Sequence, residues 1–150
     1  MKIILSLLMC FTMTSVVYAQ AVSGNRIVDG MLEVADEIER EGERLLEEIG
    51  VKSEIDVCFD QEKNELVYYY RFFSEQVYDS FDLDTGKKGA VNGMIAEVLK
   101  ADESGEALEM IVGEFKRTKT NIRLKVAYGD RVKSSVATSL EIQRLASLLY

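Results

Sequence analysis

Histidine, proline and tryptophan are absent from the 150-residue chain, and cysteine occurs twice. Without histidine no Ser-His-Asp or Cys-His arrangement can be assembled, and the commonest acid–base side chain is missing. Zinc and copper sites draw mainly on histidine or on several cysteines, so neither metal is expected, and no cofactor is. The lack of proline excludes Pro-rich linkers, and no low-complexity tract or repeat at solenoid spacing occurs. Cys10 sits in an N-terminal apolar stretch, which leaves Cys58 without a partner for an internal disulfide once that stretch is removed. Asp56 and Asp60 flank Cys58 and disfavour its thiolate, so an inert strand cysteine is expected, with an intermolecular disulfide open to it under oxidising conditions.

Two acidic or glycine-rich segments fail as motifs. Asp79, Asp82 and Asp84 lie close together, but counting from Asp82 places Gly86 fifth and Gly93 twelfth, where a calcium loop needs Gly sixth and Glu twelfth. "GKKGAVNG" has no phosphate-cradling spacing. The 26 acidic residues are spread along the chain and read as solvated helix faces, with no carboxylate pair singled out for glycoside chemistry.

The N-terminus reads "MKIILSLLMCFTMTSVVYAQA": one Lys, an apolar run, then small residues. This layout predicts a cleaved secretory signal peptide over residues 1–19 and a single domain over 20–150 that is periplasmic or secreted. The run is shorter than a spanning helix and is interrupted by Thr12, Thr14 and Ser15, so no stable membrane insertion is expected after cleavage. The formal charge of −8 becomes −9 without Lys2, which disfavours nucleic acid and anionic membranes as partners.

The remaining periodicities predict an α+β fold. Met31, Val34, Ile38, Leu45 and Ile49 give one long amphipathic helix from Asp29 to Ile49, with Gly42 as a weak point and Gly50 at its end. Ile55, Val57 and Phe59 alternate with polar residues, and Gln61–Asn64 turns the chain into "ELVYYYRFF". Closing that hairpin sets Phe59 opposite Leu66, Val57 opposite Tyr68, Ile55 opposite Tyr70 and Glu54 opposite Arg71, with Asp60 against Glu65 beside the turn. The next helix has Val91, Met94, Ile95, Val98 and Leu99 inward and Asp84 or Thr85 as N-cap. Another, capped by Ser104, carries Leu108, Ile111, Val112 and Phe115. A second hairpin runs from Ile122 to Ala137. Thr138 and Glu141 have capping-box spacing for a last helix with Leu145, Leu148 and Leu149 inward. The expected order is α-β-β-α-α-β-β-α, with an antiparallel four-stranded sheet of two hairpins covered by helices on the face of Tyr68, Tyr70, Leu124 and Val126.

The opposite face would then hold Val67, Tyr69 and Phe73 with Arg71, Arg123, Lys125 and Lys133. Basic residues beside an aromatic suit docking to an acidic partner or a carboxylate ligand, while charges on an uncovered antiparallel face also arise with no function attached. "ELVYYYRF", two helices, and "NIRLKVAYGDRVKSSVATS" together resemble small exported bacterial domains of unknown function, with a departure at the turn Tyr128-Gly129-Asp130-Arg131 and no lipid-attachment cysteine near the leader. That resemblance implies an envelope location and this fold, and transfers no catalytic residue. The expectation is a non-enzymatic exported module that binds a protein partner, as an accessory or inhibitory (immunity-type) protein. A small-ligand binder with Tyr68 and Tyr70 lining a pocket between helices and sheet is the alternative.

Overall fold

The structure, a computed structural model, describes residues 23–148. The expected leader and Leu149 lie outside them. Ten elements occur in the order α1 (Arg26–Glu33), α2 (Ala35–Glu48), β1 (Ser53–Asp60), β2 (Glu65–Phe72), α3 (Glu75–Ser80), α4 (Leu83–Lys100), α5 (Ala107–Thr118), β3 (Asn121–Tyr128), β4 (Arg131–Ala137) and α6 (Ser139–Ser147). The class is α+β with one four-stranded sheet, ordered β1-β2-β3-β4.

The expected all-antiparallel sheet is corrected. Both hairpins are antiparallel, but β2 and β3 run parallel, with Leu66 beside Ile122, Tyr68 beside Leu124 and Tyr70 beside Val126. The chain between them, residues 73–120, carries three helices, and a connection of that length returns the chain to the starting end of the sheet. One of those helices, α3, was not expected. Ser74 caps it through the Val77 N–H.

Within β1–β2 the expected register holds at every pair, including Asp60 beside Glu65. Leu66, Tyr68 and Phe72 are buried in the core with Ile55, Val57, Ile122, Leu124 and Val126, and Tyr70 packs against it. Burial pushes the phenols of Tyr68 and Tyr70 above their ordinary range. The second hairpin turns at Gly129, whose φ of 60° suits the first central position of a two-residue loop.

The N-terminal helix is two helices. Val34 leaves helical geometry (φ −112°, ψ 21°) and separates α1 from α2. Val34, Leu45 and Ile49 face water, whereas Ala35 and Glu39 are buried. Gly42, expected to be a weak point, has a packing reason: a Cβ there would come within 2.7 Å of Ile55 Cδ1. Its bare backbone lets α2 lie close against β1.

Two caps differ from expectation, and a third forms as expected. Asp82 caps α4 through the N–H groups of Asp84 and Thr85. For α5 the N-cap position is Glu106, and Asp102 accepts from the Ala107 N–H in place of Ser104. In α6 the Thr138–Glu141 capping box forms as expected, but Ile142 and Ala146 turn inward with Leu145 while Leu148 is exposed.

A buried polar knot joins the chain's distant parts. The Asn25 side chain accepts from the N–H groups of Ile27 and Val28 and donates to Thr118 Oγ1. Asn64, left-handed at φ 56°, donates to the Thr118 carbonyl and accepts from Thr120 Oγ1. The start of α1, the end of α5 and the β1–β2 turn are thus fixed by satisfied hydrogen bonds.

Candidate functional site: the outer face of the sheet

Side chains alternate along each strand, so the face away from the core is read directly from the register. One row across it is Asp56, Tyr69, Lys125 and Ser134. The next is Cys58, Val67, Arg123 and Val136, and a third is Glu54, Arg71, Ala127 and Val132. Val67 and Ala127 are buried yet stand outside the hydrophobic core. This is the structural answer to a strand with aromatics on both faces. Tyr68, Tyr70 and Phe72 serve the core, and Tyr69 stands on the other side beside Arg71.

The expected basic patch is brought together only in part. Arg71 lies 5.4 Å from the Tyr69 ring centroid and pairs with Glu54 at 3.2 Å. Arg123 grips Glu65 through two hydrogen bonds of 2.7 and 3.1 Å and donates to Ser134 at 2.9 Å. Glu65 is almost fully buried, so that fork answers a charge that the sequence alone placed beside an exposed turn opposite Asp60. Lys125 is half-buried and forms no ion pair among the described residues.

Lys133 does not belong to this surface. It pairs with Val126, so its side chain is on the helix-covered face, where Nζ donates to the carbonyls of Tyr78 at 2.6 Å and Phe81 at 3.3 Å. The ammonium also lies 4.5 Å from the Tyr78 ring centroid. The error has a simple source. Placing Lys133 outward requires a pairing offset of one residue, and a one-residue slip exchanges the faces of a whole strand. Phe73, beyond the end of β2, is exposed beneath Lys52 at 5.4 Å.

The alternative, a pocket lined by Tyr68 and Tyr70, is not met by either of two clefts among the described residues. One cleft, of about 290 Å³, lies between α4 and α6 and is lined by Lys87, Lys88, Val91, Glu141 and Leu145 among others. Another, of about 510 Å³, lies at the α2–β1 connection and includes Glu43, Glu47, Lys52 and Phe73. Both are open to solvent, and neither reaches the two tyrosines.

No group of three acidic or cysteine side chains among the described residues is arranged to hold a metal ion. Asp79 pairs with Arg131 at 2.9 Å, and Asp82 serves as a cap. The segment "GKKGAVNG" is helical, within α4. No helix among the described residues is long and apolar enough to cross a membrane.

One buried group was not foreseen from the sequence. Glu39, on the supposed solvated face of the first helix, has no exposed surface and accepts from the backbone N–H of Val57 at 2.7 Å. No family model, curated protein or solved structure matches the chain.

Proposed function

We propose that the chain is an exported, non-enzymatic α+β module that binds a protein partner on the outer face of its sheet, as an accessory or inhibitory (immunity-type) protein. The observation that carries this reading is the row Asp56–Tyr69–Lys125 on a face that no core residue shares. Tyr69 supplies a flat amphipathic surface, stiffened by the Arg71 guanidinium, and Lys125 supplies a cation that no carboxylate among the described residues pairs with. Arg71 and Arg123 are engaged internally, so their role is to hold the surface in shape. The fitting partner presents a carboxylate to Lys125 and an apolar or planar group to Tyr69.

The test replaces Tyr69 with a photo-crosslinking residue in the full chain, expressed in its native cell, with the same residue at exposed Leu148 as control. One protein crosslinked from position 69, absent from position 148 and lost on Lys125→Glu, supports the reading. Adducts that are the same from both positions, or that survive Lys125→Glu undiminished, refute it.

A further inference from the structure

β1 is an edge strand, and its outward N–H groups would template another strand if left bare. Two carboxylates from α2 occupy them. Glu39 Oε2 accepts from the Val57 N–H at 2.7 Å, and Glu43 Oε2 accepts from the Ile55 N–H at 2.8 Å. The two glutamates are one helical turn apart, and Ile55 and Val57 are two residues apart, so the helix pitch roughly matches the spacing of the edge donors. Gly42 lies between them and permits the close approach.

Glu39 is the unusual member. It is fully buried, and its second oxygen, Oε1, has no hydrogen-bond partner among the described residues. The charges acting on it are all negative: Asp56 from β1, the strand on which α2 packs, and Asp36 and Glu43 from its own helix. Arg40, next in sequence, is exposed and leans toward Asp36 at 3.8 Å.

From this geometry we propose that Glu39 is a pH-operated clasp: its uncharged carboxyl holds α2 over the edge of β1, and loss of the proton releases α2 locally and bares the N–H groups of Ile55 and Val57. Burial foremost, then the three carboxylates, push Glu39 up to about 7, against the opposing pull of the Val57 N–H. Once α2 lifts, water solvates the carboxyl and restores its ordinary affinity for a proton. The closed form therefore holds the proton where the open form has lost it. Opening is rarest below the ordinary carboxylate range, rises as pH climbs through that range, and levels off above about 7. The opened edge presents two adjacent donors to any extended strand.

Amide hydrogen exchange on the whole protein, corrected for the intrinsic pH dependence of exchange, reads this directly. The opening constant at Ile55 and Val57 should rise roughly a hundredfold between pH 4.5 and 7.5, while buried β3 amides show no such rise. In Glu39→Gln, which keeps an acceptor for Val57 but carries no titrating proton, the opening constant should be flat over that range. Glu43→Gln should retain the rise. Carboxyl carbon chemical shifts of the unmodified protein, which need no variant to fold, should show Glu39 titrating near neutrality. A flat opening constant in the unmodified protein, an unchanged slope in Glu39→Gln, or Glu39 titrating in the ordinary carboxylate range would overturn the proposal.

Discussion

Glu39 on α2 and Glu114 on α5 are both helical glutamates with almost no exposed surface, yet their surroundings are opposite. Glu114 sits among cations. Arg117 donates to it at 2.9 and 3.2 Å, Arg26 approaches within 3.4 Å, and the Arg26 N–H donates at 2.7 Å. The Arg117 guanidinium holds its carboxyl below the ordinary range. Glu39 sits among carboxylates and is pushed up to about 7 by burial. The first glutamate is an anchor that works ionised, and the second is a clasp that works protonated. Burial alone therefore says little about a carboxyl's role. What answers its charge decides: Arg117 does so for Glu114, and no cation does so for Glu39 among the groups acting on it.

Removing the anchor should have the largest effect. Glu114→Ala leaves the Arg26 N–H unsatisfied at the start of α1 and strips two bonds from Arg117, which also donates to the Gly24 carbonyl. A loss of about 2–3 kcal/mol is expected, read by urea denaturation at pH 7. The sign of the pH dependence comes from the depressed carboxyl. Its stabilisation is present above the ordinary carboxylate range and is lost as pH falls through its own lower value. The deficit of Glu114→Ala relative to the unmodified protein should therefore shrink in acid. A deficit that stays constant down to pH 2 would show that packing, not charge, holds α1 to α5.

Glu39→Gln should act in the other direction. The protonated clasp contributes stability that is complete below the ordinary carboxylate range and is lost as pH rises through about 7. At pH 8 the unmodified protein has lost that contribution, so the glutamine variant should be more stable by about 1–2 kcal/mol, less than the full shift because its amide is buried without a partner. At pH 4.5 the two should be nearly equal. A variant less stable at pH 8 would mean that the ionised carboxylate is the better partner for Val57.

The contrast between the two glutamates also marks what the residues disclosed in advance. The β1–β2 register was legible because three apolar pairs and Glu54–Arg71 all demand the same alignment, and a slip would expose the entire apolar set. The Thr138–Glu141 cap was legible because it is local. Glu39 was not, because helical periodicity counts apolar residues, and the stripe that packs on β1 contains Ala35, Glu39 and Gly42. Of the apolar residues that the periodicity counted, Val34, Leu45 and Ile49 face water. A signal was present: a glycine between two glutamates, ahead of a strand that had to be an edge or find a third neighbour. Lys133 failed for a similar reason. Val132 and Val136 share one face and Lys133 faces the core side, so the polar–apolar alternation of β4 points the wrong way, and only Tyr78, Phe81 and their carbonyls explain why. The parallel pairing of β2 and β3 was hidden in strand order, which no local pattern encodes.

The smallest effect is the sharpest comparison. Asp56 faces outward on β1 and reaches Glu39 only through its charge, since Val57 supplies the contact. Asp56→Asn therefore removes one repulsive neighbour while leaving the clasp's hydrogen bond, its burial and the strand register in place. The Glu39 titration should move toward lower pH by a fraction of a unit, and stability at pH 8 should rise by under about 1 kcal/mol. No mirror-image effect is expected at Glu114, because the groups that lower it, Arg117 and Arg26, are on α5 and at the start of α1. Carboxyl titration curves of both glutamates in the one variant thus carry their own control. A downward shift at Glu39 with Glu114 unmoved is the expected result. No shift at Glu39 would mean that Asp56 contributes nothing measurable to holding its proton, leaving burial with Asp36 and Glu43.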